Sequence, residues 1–286
     1  MKQSTISIKI AKAWNKLPLI LRLVLTGLLV SWTGVTIWSI MLSVIAAPWS
    51  VVPMIIVLWI YLAFFSGSWG IKKNIEVRRN RFRTIRISSS VWRWGIIAAV
   101  FFVFIVQSSF VITFRLIDFP AEKFTADYKE FNSLPSWIVW VLLIMSSFVA
   151  GICEETGFRG YMQQPLEKRY GPSAGIIITS IIFMLFHLGR SWALTILPHI
   201  FFASVLLGIL AYKCGSLIPG IIGHSILDIF DYSFWWSDIA GGFHKQTIFR
   251  TGIDIHFLTW GLIFILAIYV FFWSMRRLTN VTRIRV

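Results

Sequence analysis

The sequence predicts an all-α fold: a polytopic membrane bundle of about eight transmembrane helices, with a polar site inside the bundle. Hydrophobic residues make up 57% of the 286 positions, and charged residues make up only 14%, against about 25% in soluble domains. Apolar runs near the length of a bilayer crossing, about 20 residues, recur along the whole chain. Because lipid cannot satisfy an open backbone, these runs are predicted to be helical.

The spans follow from the positions of the apolar runs. We expect them at 23–46, 51–70, 94–114, 136–155, 173–190, 195–212, 216–233 and 257–275. We divide the chain into residues 1–135, with a basic N-terminal segment and three spans, a core at 136–235, and an outer loop, last span and basic tail at 236–286. Together these segments form one predicted membrane domain.

The distribution of basic residues predicts the orientation. The net charge is +15, and 21 of the 27 Lys and Arg residues fall in segments on one side if the N-terminus is inside. By the positive-inside rule both termini are then cytoplasmic. The basic residues sit in short segments between apolar runs, which indicates anionic membrane lipids as partners and not nucleic acid. We expect an integral protein of a bacterial plasma membrane. The two cysteines give no disulfide framework.

Ionisable residues inside the predicted spans are candidates for chemistry. The candidates are Glu154, Glu155, Asp228, His187 and His224. A charge at the bilayer centre costs at least about 2.5 kcal/mol on insertion scales, so its presence is a functional hypothesis by default. The alternative is a set of buried pairs that only fix helix packing.

The first group of candidates is Glu154, Glu155 and Arg159. Glu155 and Arg159 are four positions apart and share a helix face. One Arg balances only one of two adjacent carboxylates, which leaves Glu154 available as a general base. If the helix continues to a turn at 170–172, an antiparallel hairpin brings Glu154 and His187 to one depth, roughly 24 Å from the turn at 1.5 Å per residue.

The second group is His224 and Asp228, which are also four positions apart on one helix. Such a pair can orient an imidazole, bind a metal or stabilise an oxyanion. It can equally be a hydrogen-bonded pair that serves packing alone.

The order of these motifs resembles the CAAX-protease and bacteriocin-processing family of membrane endopeptidases. The family pattern EExxxR is matched by EETGFR at 154–159, FxxxH by FMLFH at 183–187, and HxxxN/D by HSILD at 224–228. The resemblance implies a catalytic core at 136–235. It implies that Glu154 activates water, His187 positions it and His224 donates to the oxyanion, while Glu155 and Arg159 orient these groups and balance charge.

Two details of that implied chemistry stay open. An ionised Asp228 cannot donate a hydrogen bond as Asn does in the same motif, so it orients His224, is protonated, or leaves the oxyanion role to others. We expect no cofactor; the alternative is zinc held by Glu154, His187 and His224.

The predicted function is hydrolysis of peptide bonds in a peptide or in a prenylated or otherwise membrane-associated protein, either CAAX-type or bacteriocin and signal-peptide processing. The first alternative is a non-catalytic membrane regulator or immunity protein of the same family. A transporter ranks third, because no paired broken helices or internal repeats are present. The sequence leaves the oligomeric state open.

Overall fold

A computed structural model describes residues 12–70, 72, 74–83, 88–125 and 133–283. Throughout these ranges the regular secondary structure is helical, without strands. The helices, in chain order, are α1 (Leu19–Val44), α2 (Val51–Phe65), α3 (Ile75–Phe82), α4 (Ser89–Leu116), α5 (Ala121–Thr125), α6 (Ser136–Glu154), π1 (Glu155–Gln163), α7 (Gln164–Tyr170), α8 (Pro172–Phe186), α9 (Ala193–Cys214), α10 (Ile218–Phe230), π2 (Asp231–Trp236), α11 (Ile248–Thr251) and α12 (Ile255–Arg283).

The helix lengths confirm a polytopic helical bundle but not the number eight. Within the described ranges, five helices are long and apolar enough to cross a bilayer. These are α1, α4, α9, α12 and the continuous rod formed by α6, π1 and α7. Two shorter apolar helices, α2 and α8, have 15 residues each. The remaining predicted span corresponds to α10 and its continuation π2.

The helix that carries the first motif continues past the apolar run, as the hairpin argument requires. It runs without a break from Ser136 to Tyr170, and the chain reverses at Gly171, whose φ of 87° favours glycine. Residues 155–163 are not α-helical, however, but form a π-helix. Such segments are rare and are frequent at functional sites. The apolar pattern of the sequence does not predict this change.

The predicted core is held by helices from all three sequence segments. The third-motif helix, α10, packs against both α6 and α4, and α4 packs along α12. Near its N-terminal half, α1 packs on π1. Cys153 and Cys214 are buried free thiols. The boundaries at 135 and 235 stay a prediction, since helices pack across both of them.

The helices α6 and α10 pack closely at Gly151. A Cβ atom at this position would collide with Ser225 Oγ and lie 3.1 Å from the backbone N of Ser225 and O of Ile221. We expect Gly151→Ala to destabilise the bundle by about 1–3 kcal/mol, as overpacking of a core does. Thermal unfolding in detergent measures this loss.

Gly261→Ala provides the matched control, because nothing lies within 4 Å of a Cβ at that site in α12. The double variant Gly151→Ala/Ser225→Gly should recover part of the loss. An unchanged melting temperature for Gly151→Ala would show that α6 and α10 do not pack this closely.

Candidate active site

One cavity of about 440 Å³ lies inside the bundle and brings the predicted catalytic residues together. Its walls come from α1, α4, α6, α8, α9 and α10, with π2 at one end. Most of the lining is apolar or aromatic. The polar and ionisable side chains in its wall are Ser146, Glu154, His187, Arg190, His199, His224, Asp228, Asp231 and Tyr232.

A buried ion pair within the first motif is linked to the third motif through His224. Arg159 Nη1 lies 3.1 Å from Glu155 Oε1, and both side chains are fully buried. His224 Nδ1 lies 2.9 Å from the same carboxylate oxygen. The two residues are 69 positions apart, so the sequence spacing gave no indication of this contact. Glu155 therefore fixes the orientation of His224, the role that the sequence suggested for Asp228.

The remaining contacts of Arg159 anchor this pair to neighbouring helices. Its Nη2 donates to Ser204 Oγ at 3.0 Å, and the guanidinium lies 4.6 Å from the centroid of the Phe183 ring. Gly220 lets α10 lie close to Glu155, since a Cβ atom at position 220 would be only 3.1 Å from Glu155 Oε2. The charge-balancing pair is thus enclosed by α9, α8 and α10.

The other nitrogen of His224 faces the cavity between two carboxylates. Its Nε2 lies 3.8 Å from Glu154 Oε2 and 3.7 Å from Asp228 Oδ1. Both distances exceed hydrogen-bond length, so neither carboxylate is tied to the imidazole. Glu154 is 9% exposed and reaches the cavity. Three carboxylates, counting Glu155, surround one imidazole.

His187 caps the C-terminus of α8 and also lines the cavity. Its Nδ1 lies 2.8 Å from the carbonyl oxygen of Phe183. A carbonyl can only accept, so Nδ1 carries the proton and a neutral His187 presents Nε2 as an acceptor.

The predicted hairpin brings Glu154 and His187 into one cavity, but they make no direct hydrogen bond or ion pair. The distance calculation assumed α-helical rise throughout. The π-helix that follows Glu154 has more residues per turn than the α-helix from which the expected 24 Å was obtained. Their approach through a bridging water stays a prediction.

Two further polar side chains belong to the cavity region. The sequence did not single out Gln107, whereas His199, a lone histidine near the end of a predicted span, was expected to serve packing. Gln107 of α4 donates to Asp231 Oδ1 at 2.6 Å and accepts from Trp235 Nε1 at 2.9 Å. In the sequence, Gln107 could have been recognised as an isolated amide side chain within an apolar run. His199 stacks on Phe110 at 4.7 Å and contacts Thr113 Oγ1 at 3.0 Å. These contacts fit the packing role expected for a lone histidine.

Within the described ranges, no three His, Cys, Asp or Glu side chains converge closely enough to hold a metal ion. The set named for zinc, Glu154, His187 and His224, lines the cavity without forming such a group.

Comparison with known proteins identifies the region that contains these motifs. Residues 135–230 match the family model for type II CAAX prenyl endopeptidase Rce1-like proteins. Searches of the curated proteins and of the solved structures found no match. The matched region starts one residue before α6 and ends at the last residue of α10, so it includes all three motifs and the helices that carry them. Residues 135–230, which are 96 of the 286 positions, are therefore similar to type II CAAX prenyl endopeptidases.

Proposed function

We propose that this chain is an intramembrane endopeptidase in which Glu154 activates water for attack on a peptide bond. The observation that carries the proposal is the convergence of Glu154, His187 and His224 on one cavity above the buried Glu155–Arg159 pair. Hydrolysis needs a base, a positioned water and a donor for the developing oxyanion, and these residue types can supply all three.

In the first step, Glu154 and His187 both accept hydrogen bonds from the water molecule that attacks the substrate. Glu154 has no hydrogen-bond partner among the described residues, so its carboxylate is available to accept a proton from water. His187 Nε2 is free because Nδ1 is engaged by Phe183, and it accepts the second hydrogen of the same water. The hydroxide equivalent attacks the carbonyl carbon, and the proton taken by Glu154 passes to the leaving amine.

In the second step, His224 stabilises the oxyanion that develops on the substrate carbonyl oxygen. Glu155 accepts from Nδ1, so donation from Nε2 requires the imidazolium form. The carboxylates of Glu154, Glu155 and Asp228 provide negative charge. This charge balances both the imidazolium of His224 and the Arg159 guanidinium that is paired to Glu155. A substrate carbonyl oxygen would enter between the two carboxylates that flank Nε2. Asp228 then balances the charge of the imidazolium and does not itself donate.

The position of the cavity favours one substrate class. Among its lining residues only Trp32 and Arg190 are exposed, so it reaches the surface at α1 and at the α8–α9 loop. At that wall, the ring centroids of Trp32 and Phe186 are 5.5 Å apart. With cytoplasmic termini, the α8–α9 loop is on the outer side. We therefore favour a membrane-associated or exported peptide, as in bacteriocin or signal-peptide processing, over a cytoplasmic prenylated tail.

The test is cleavage by purified protein in liposomes of a library of peptides, each fused to one membrane-spanning segment, with products identified by mass spectrometry. We expect His187→Ala and His224→Asn each to lower cleavage at least about 10²-fold, in the range for acid–base and oxyanion groups. The amide of Asn can retain the bond to Glu155 that Nδ1 makes and removes the function of Nε2.

His244→Ala, in the loop that precedes α11, is the control and should retain full activity, since His244 is outside the cavity. Each variant is also measured with and without a chelator. Wild-type protein that binds peptides but cleaves none would favour the non-catalytic regulator. Activity lost in chelator and restored by zinc would replace the metal-free mechanism.

A further inference from the structure

A second pocket, of about 400 Å³, lies between α3 and α7 on the predicted cytoplasmic side. Its lining residues are Val77, Asn80, Arg81, Gln164, Pro165, Lys168 and Arg169. It is separate from the catalytic cavity, with which it shares no lining residue. Gln164 lies ten positions beyond Glu154 on the same continuous helix.

The pocket carries three cations and no acidic side chain in its described lining. Lys168 and Arg169 are exposed and form no ion pair with any described residue. The nearest carboxylate along the chain, Glu167, is already bound to Arg83 at 2.7 Å and to Gln163 at 2.7 Å. With the described residues, Arg81 makes one long hydrogen bond, of 3.5 Å, to Gln164 Oε1. The pocket therefore presents positive charge that no carboxylate of the described residues neutralises.

The remaining lining suits the other parts of a phospholipid headgroup. Asn80 and Gln164 carry amides that can donate to phosphate or glycerol oxygens. Val77 is 51% exposed and, with Pro165, provides an apolar edge. Basic pockets between helices on the cytoplasmic side of membrane proteins bind anionic headgroups. We propose that this pocket binds the headgroup of an anionic phospholipid of the inner leaflet.

A lipid bound in this pocket would stabilise π1, which contains Glu155 and Arg159, because α3 contacts π1. A Cβ at Gly160 would lie 2.9 Å from the carbonyl oxygen of Arg81 and 3.3 Å from Leu217. The end of α3 is thus seated on π1, one residue after Arg159. A headgroup that bridges Arg81 of α3 to Lys168 and Arg169 of α7 holds α3 against π1 and stabilises the segment that contains the Glu155–Arg159 pair.

The experiment measures lipid binding by native mass spectrometry and melting temperature in detergent with added phosphatidylglycerol or phosphatidylcholine. We expect phosphatidylglycerol, and not phosphatidylcholine, to bind and to raise the melting temperature of the wild type. Lys168→Gln/Arg169→Gln should weaken phosphatidylglycerol binding at least about tenfold, because each cation near an anionic surface contributes several-fold. Both residues are exposed, so the variant should fold.

Arg276→Gln/Arg277→Gln, on α12, is the matched control: it removes the same charge from exposed positions on the same predicted side. The control should bind phosphatidylglycerol as the wild type does. Equal loss in the two double variants would overturn the pocket and leave only general surface attraction. Equal stabilisation by inorganic phosphate would overturn the lipid assignment, because the pocket would then be an ion site. Both readouts are independent of peptidase activity, so failure of either proposal can be distinguished.

Discussion

Glu154→Gln is expected to lower peptide cleavage by at least about 10²–10⁴-fold while leaving the folded protein intact. A positioned general base contributes about this factor, and Gln keeps the size of Glu but cannot take a proton from water. The fold should tolerate the change because Glu154 makes no hydrogen bond within the described part of the chain, and its nearest charged partner, His224 Nε2, is 3.8 Å away. Cleavage rate and melting temperature are measured on the same purified samples.

Glu122→Gln is the control for this change. Glu122 is an exposed carboxylate on α5, away from the cavity, and its substitution should alter neither cleavage nor stability. Cleavage by Glu154→Gln within tenfold of the wild type would remove Glu154 from the role of base. A large drop in melting temperature would instead assign Glu154 to structure.

Arg159→Ala is expected to have the largest effect on stability. The guanidinium is fully buried and is the cationic partner of Glu155. Removing one partner of a buried ion pair leaves an uncompensated charge, at a cost of about 3–5 kcal/mol. The folded fraction, followed by size-exclusion chromatography and thermal unfolding, should fall sharply.

The double variant Glu155→Gln/Arg159→Met separates charge from packing. It removes both charges and keeps similar volumes, so much of the lost stability should return. Activity should stay low, because Gln replaces the carboxylate that orients His224. Arg250→Ala removes one partner of an exposed pair with Asp118 at 3.9 Å and should have no measurable effect on stability. Similar stability for Arg159→Ala and Arg250→Ala would contradict the buried pair.

Much of the fold could be predicted because the bilayer restricts the alternatives. Every predicted span coincides with a helix, and the hairpin turn at Gly171 was marked by adjacent Gly and Pro. The predicted number of eight crossings is not confirmed, since α2 and α8 have only 15 residues. The π-helix at 155–163 was not predicted, because its i→i+5 bonding depends on neighbours such as α1 and α3 and not on local composition.

The candidate site could be predicted as a set of residues but not as a set of pairs. Spacing by four positions correctly indicated Glu155 with Arg159. It also suggested His224 with Asp228, whereas the hydrogen bond of His224 is to Glu155. Contacts between residues 69 positions apart depend on how α6 and α10 cross, which no local pattern reports. For the same reason, the sequence did not predict the contact between Gln107 and Asp231.

The most direct test of the central claim is cleavage in water enriched in ¹⁸O, with wild-type and Glu154→Gln protein in proteoliposomes. If Glu154 activates a water molecule that attacks the peptide carbonyl, each new C-terminal carboxylate made by the wild type carries one ¹⁸O atom, and Glu154→Gln forms labelled product at least about 10²-fold more slowly. Product without the label, or labelled product formed by Glu154→Gln within tenfold of the wild-type rate, would contradict the account.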